Sequence, residues 1–201
     1  MDNRIIAFRT DEVLSSADFD LLEQEYHVLV DVWGKEVPEK TLLKVAYDNE
    51  RLYFLFRSEF DGTLPRKYYK KRGKVYRADC TEIFIDFQEK QTHYYELDVS
   101  PFNKTFTAYI ENFDDENIKG KLVDKNILET YTKLHEHYYD TLYILPFKNF
   151  ILDGMDKYSC KIRFNAYRVK VENGKRVSRV LKPTMSLSHH IKNSFIRLIL
   201  E

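Results

Sequence analysis

The chain has 201 residues, with 32 basic and 32 acidic side chains that cancel to a net charge of zero. A balanced charge without a basic stripe excludes the electrostatic footprint of a nucleic-acid binder. Fifteen Tyr and fourteen Phe give a sizeable core and exclude disorder.

No apolar run approaches the ~20 residues of a membrane span, so no membrane partner is expected. The opening MDNRIIAFRTDEV lacks the apolar core and cleavage site of a signal peptide. As written the chain is expected in the cytoplasm, or outside the cell if a leader has been trimmed. The length fits one domain over residues 1–201. Cys80 and Cys160 lack metal-ligand spacing and read as small buried free thiols.

Arg4–Arg9 reads as a first short strand. Ser16–Gln24 opens on a capping residue and predicts a turn or two of helix. Tyr26–Trp33 reads as a strand, and Val37–Lys40, with Pro38, as a loop. Thr41–Asp48 and Arg51–Glu59 form a hairpin about Asn49–Glu50. Along its second strand Leu52, Phe54 and Phe56 share one face. Asp61–Lys74 is a polar connection carrying the basic run RKYYKKRGK, the composition of a solvated loop.

Cys80–Phe87 and His93–Ser100 predict a second hairpin about Glu89–Lys90. Side chains alternate along a strand. Ile83, Ile85, Phe87, Tyr95, Leu97 and Val99 therefore share the core face. Glu82, Phe84, Asp86, Tyr94, Glu96 and Asp98 share the other. This register sets Glu82 opposite Asp98, and like charges directly across a sheet repel. Either the face is solvated, as one face of an antiparallel sheet commonly is, or it requires a cation, a metal or a polar ligand.

Lys104–Glu111 predicts a strand and Asn112–Gly120 an acidic turn. Two strands follow, Thr130–His137 and Tyr139–Pro146, then a short helical turn over Phe147–Leu152. In the long strand Ser159–Val169, Cys160, Ile162, Phe164 and Ala166 face the core. Lys161, Arg163, Asn165 and Tyr167 face the acidic side. Ser194–Leu200 closes the sheet. About ten short alternating strands predict an all-β, two-sheet antiparallel β-sandwich with one or two short helical turns.

Carboxylates, arginines, an amide and tyrosines on one face suit a polyhydroxylated ligand. Paired acids also serve glycoside hydrolysis, but here they lie along a sheet without an apolar pocket to raise a pKa. No nucleophile elbow, H-E-x-x-H or phosphate loop is present. His135 and His137 share a strand face without a third ligand, and the side chains of His189 and His190 diverge.

The segments YDNERLYFLFRSEF and YRADCTEIFIDF resemble the carbohydrate-binding module family 9-like domains, β-sandwiches of the wider DOMON-like group. The motif residues are Tyr47, Asp48, Leu52 and Tyr53, then Tyr76, then Asp79, Glu82, Phe84 and Asp86. YILPFKNF, IRFNAYRV and SLSHHIKNSFIRLIL are similar to later segments of the family. The resemblance implies non-catalytic binding of a glycan end or short oligosaccharide.

Where characterised members clamp a sugar between two tryptophans, this chain has Tyr76 and His189. Glu82 stands at the sugar-binding glutamate, and Glu96 replaces an arginine. The ligand site implied comprises Tyr76, Arg77, Glu82, Glu96, Arg163, Asn165 and His189. No cofactor is required. Family members often hold structural calcium, though no ligand set for it is legible here. Two alternatives belong to other classes: a scaffold domain whose sugar site has decayed, and a haem-binding DOMON-type domain with Met185 and His189 as the axial pair.

Overall fold

The computed structural model describes residues 4–62, 64, 75–151, 156–172 and 174–201. The basic run of the first long connection lies outside the described residues. Fourteen strands are present in it: β1 (Arg4–Arg9), β2 (His27–Val28), β3 (Val30–Asp31), β4 (Thr41–Tyr47), β5 (Arg51–Glu59), β6 (Cys80–Asp86) and β7 (His93–Val99), then β8 (Thr105–Asn112), β9 (Ile118–Leu122), β10 (Glu129–Leu134), β11 (Tyr138–Pro146), β12 (Ile162–Glu172), β13 (Lys175–Val180) and β14 (Ile196–Leu200). The helical segments are single 3₁₀ turns. Ser16–Gln24 reduces to one of them, Phe19–Leu21, started by the Asp18 carboxylate accepting from the Asp20 N–H.

The strands form two packed sheets. The smaller runs β10-β11-β5-β4, and the larger runs β14-β12-β6-β7-β8-β9 with β13 also on β12. Nearly all pairs are antiparallel, as alternation predicts. The exception is β1, which runs parallel to β14 along Arg4–Ala7 and parallel to β4 at Phe8 and Arg9, so it steps from one sheet to the other. The expected strand over Tyr26–Trp33 does the same. It breaks at the buried Leu29, with β2 pairing β4 and β3 pairing β13. A segment that changes sheets cannot keep one continuous ladder.

The core between the sheets holds the residues that alternation assigns to it: Phe54, Phe56, Ile83, Ile85, Leu97, Ile162 and Phe164. The Phe54 and Phe164 rings meet across it at 5.2 Å. At one end of the core lies a charge pair. Arg168 and Asp79 are both buried, 3.2 Å apart. Tyr139 also donates its hydroxyl to Asp79 at 2.9 Å, and Arg168 donates to the Glu59 carbonyl. Motif residue Asp48 is equally structural: its carboxylate accepts from the Glu50 and Arg51 N–H groups and from the Tyr53 hydroxyl, closing the first hairpin.

The other face of the larger sheet departs from expectation. It is not solvated. Phe84, Tyr94, Ala108, Ile110, Tyr167, Val180 and Phe195 are buried there together with Val32, as a second small core. The chain covers them because residues 181–195 return across this face to reach β14. Phe84 contacts His190 at 4.9 Å, and Tyr167 donates its hydroxyl to the His189 carbonyl. Two polar strands were not among the expected elements. KRVSRV forms β13 and IKGKL forms β9, each drawn into a sheet by a longer neighbour. Cys80 and Cys160 are unpaired; Cys80 is buried, while Cys160 lies before β12 and is only partly covered.

Candidate ligand-binding site

The register of the second hairpin is the one alternation predicts. Glu82 pairs with Asp98, and Glu96 lies one step along, opposite Phe84. All three carboxyls are buried. The donor that Glu82 requires is His189, a residue more than a hundred positions away. Its Nδ1 lies 2.7 Å from Glu82 Oε2, its Nε2 lies 2.7 Å from Ser178 Oγ, and its ring stacks flat on Tyr167 at 4.4 Å. Burial pushes the Glu82 carboxyl up, but His189 and Arg176 outweigh it and leave the group below the usual carboxylate range.

The other two acids lack such a partner. Burial and the Glu82 charge push Glu96 up to about 8. The same causes, with Glu96 added, hold Asp98 well above the usual range. Both Asp98 oxygens are buried and accept no hydrogen bond among the described residues. His189 and Arg176 thus favour the charged form of Glu82, while burial beside it favours the protonated forms of Glu96 and Asp98. His190 flanks the three acids, its Nδ1 2.8 Å from the Tyr94 hydroxyl and its Nε2 3.9 Å from Glu96; burial lowers its pKa to about 4.

Tyr76 lies in the 3₁₀ turn Val75–Arg77 that precedes β6. It meets Phe106 edge-on at 5.3 Å, and Phe106 pairs with Asp98 across β7 and β8. Tyr76 is half-buried, and beside it Arg77 is exposed, its guanidinium 5.7 Å from the tyrosine ring. Glu82 and His189 thus meet directly and Glu96 lies beside His190, while Tyr76 is joined to the acids only through Phe106.

Two expected members do not join them. Arg163 pairs with Asp86, two pairings beyond Phe84 and away from Glu82, and donates to the Phe195 carbonyl at 2.9 Å. Asn165 is fully committed: its amide donates to the Lys182 carbonyl and Ser194 Oγ, and its oxygen accepts from the Ala166 and Lys182 N–H groups. It pins the returning segment and has nothing left to offer a ligand. Alternation assigned both to the correct face but could not see the chain that crosses it.

Arg176, Ser178 and His190 were missed. The alternation of Arg176, Ser178 and Val180 is the signal that would have placed them on this face. The haem reading fails on geometry. Both ring nitrogens of His189 are engaged, and Met185 is 64% exposed. Among the described residues no cluster of His, Cys, Asp and Glu is arranged to hold a metal ion. Ser178, His189 and Glu82 form a serine–histidine–acid chain. Ser178, however, lies inside a paired strand, not at a turn whose N–H groups would hold an oxyanion.

Residues 8–145 match the carbohydrate family 9 binding domain-like family, and the chain belongs to that family. Domains of this type are non-catalytic and bind carbohydrate. A comparison of the sequence with curated proteins gives no match.

Solved structures share the fold. A Bacteroides uniformis protein described as carbohydrate-binding superposes with a TM-score of 0.76 at 11% identity, over 98% of this chain and 99% of its own. A family 9 module from Caldicellulosiruptor kristjanssonii in complex with cellotriose gives 0.70 at 15% identity, over 98% of this chain and 93% of its own. In complex with glucose it gives 0.71 at 15%, over 98% and 95%.

Proposed function

We propose that the domain binds a glycan end or short oligosaccharide on the outer face of the larger sheet, over Glu82, Glu96 and Asp98 and between Tyr76 and His189. The observation that carries this reading is Asp98, a buried carboxyl with two unpartnered oxygens beside two further acids. Leaving such atoms unsatisfied costs about 1–3 kcal/mol, and sugar hydroxyls that displace the covering side chains supply the missing donors. Tyr76 offers an aromatic face to the apolar side of a pyranose, and Arg77 adds donors at the rim.

A decayed site in a scaffold domain is the second reading. It is favoured by the internal engagement of Glu82 with His189 and by the saturated Asn165. Calorimetry against matched mono- and trisaccharides of glucose, xylose, mannose and galactose separates the two. Binding that weakens about tenfold in Tyr76→Ala and in Asp98→Asn supports the sugar site. A folded protein that binds none of the panel supports the scaffold.

A further inference from the structure

Next to Ser178 a groove of about 400 Å3 opens between the turn after β3 and the start of β13, lined by Asp31, Trp33, Arg176, Ser178 and Leu187. Trp33 is the only tryptophan of the chain, and it is 52% exposed. A single exposed apolar side chain is ordinary on a protein surface. The fixed turn beneath this one and the groups facing it are not.

The turn is held from several sides. Asp31 Oδ1 accepts from the Trp33 N–H at 2.9 Å and from the Lys35 N–H at 2.8 Å. Gly34 adopts φ +88°, and a Cβ there would meet Pro183 at 3.2 Å, so only glycine suits the position. The Met185 N–H donates to the Val32 carbonyl at 3.0 Å, tying the turn to the returning segment. The indole is thus presented outward on rigid backbone. Arg176 is exposed; its charge acts on Glu82, Glu96 and Asp98 through space, and among the described residues no hydrogen bond or ion pair engages its guanidinium. Ser178 Oγ, on the same strand face, is oriented by His189.

We propose that this groove is a second pyranose subsite: the sugar stacks on Trp33, with its hydroxyls between the Arg176 guanidinium as donor and Ser178 and Asp31 as acceptors. Arg176 and Asp31 bring one charge of each sign, which suits a neutral sugar. The inference rests on the proposed carbohydrate site and extends it. Only the His189 ring separates Ser178 from Glu82, so one chain of two or more sugars spans both, and the site reads oligosaccharide length rather than a single terminal unit.

Because Trp33 is the sole tryptophan, its emission reports on the groove alone. Calorimetry and tryptophan fluorescence on the same mono- and trisaccharide pairs test the subsite. The trisaccharide that binds is expected to change the emission of Trp33, and its monosaccharide to bind without that change. In Trp33→Ala, trisaccharide affinity should fall about tenfold, with monosaccharide affinity and melting temperature unchanged.

Trisaccharide binding with silent tryptophan emission and unaltered affinity in Trp33→Ala overturns the subsite and leaves the Tyr76–His189 site standing. No binding of any sugar pair overturns both.

Discussion

Two buried charge clusters sit on opposite faces of the larger sheet, and they are built differently. At the end of the core, Asp79 and Arg168 satisfy one another, with Tyr139 and the Glu59 carbonyl completing the shell. On the outer face, Glu82 has His189, but Asp98 has no donor and Glu96 has only a distant histidine. A saturated cluster is part of the fold. An unsaturated one keeps its capacity for something outside the chain. Motif residues Asp79 and Glu82 are three positions apart, yet they belong to these two different kinds of site.

The largest expected effect is at the saturated pair. Arg168→Ala leaves a buried carboxylate without its counter-charge and should destabilise the protein by about 3–5 kcal/mol. Asp98→Asn removes an acid that nothing partners, so stability at pH 8 should be unchanged or raised. Urea unfolding of the two variants makes the comparison, and equal losses would break it.

The next effect concerns burial. Alternation puts Phe84 on the polar face, where a replacement on a solvated surface would cost less than that of Ile85 in the core. Both are fully covered. Phe84→Ala should therefore cost about 3–5 kcal/mol, no less than Ile85→Ala. A Phe84→Ala loss near zero would restore the solvated face.

A smaller effect is expected with pH. Folding raises Glu96 from an ordinary 4.5 to about 8, so between these values the native state holds a proton that the unfolded chain has lost. Stability must then fall as pH rises through this window. His190, lowered from 6.5 to about 4, acts in the opposite sense, but only below 6.5. From pH 6.5 to 8 the melting temperature of the wild type should therefore decline, and Glu96→Gln should flatten the decline. Identical slopes in the two proteins would contradict the raised acid.

Much of this comparison was legible in the sequence. The second hairpin, its register and the clash of Glu82 with Asp98 follow from period-two alternation, because a slip of one residue would turn the core set outward. The members of the inter-sheet core followed by the same rule. The covering of the outer face did not. Alternation assigns a side chain to a face but says nothing about a segment that crosses it, and residues 181–195 carry no strand pattern of their own. Hence His189 was recognised as a site residue only through the family resemblance, and its role as the partner of Glu82 was not foreseen. Hence also Arg163 and Asn165 were assigned to a ligand when they hold the crossing segment in place.

The central claim is that the unsaturated acids are the ligand face. Carbon-13 carboxyl NMR on Asp- and Glu-labelled protein tests it directly, during titration with a binding trisaccharide from the panel. Shifts at Asp98 and Glu96 as the sugar saturates, with Asp79 unmoved, are the predicted result. Saturation that leaves Asp98 and Glu96 as still as Asp79 would contradict it.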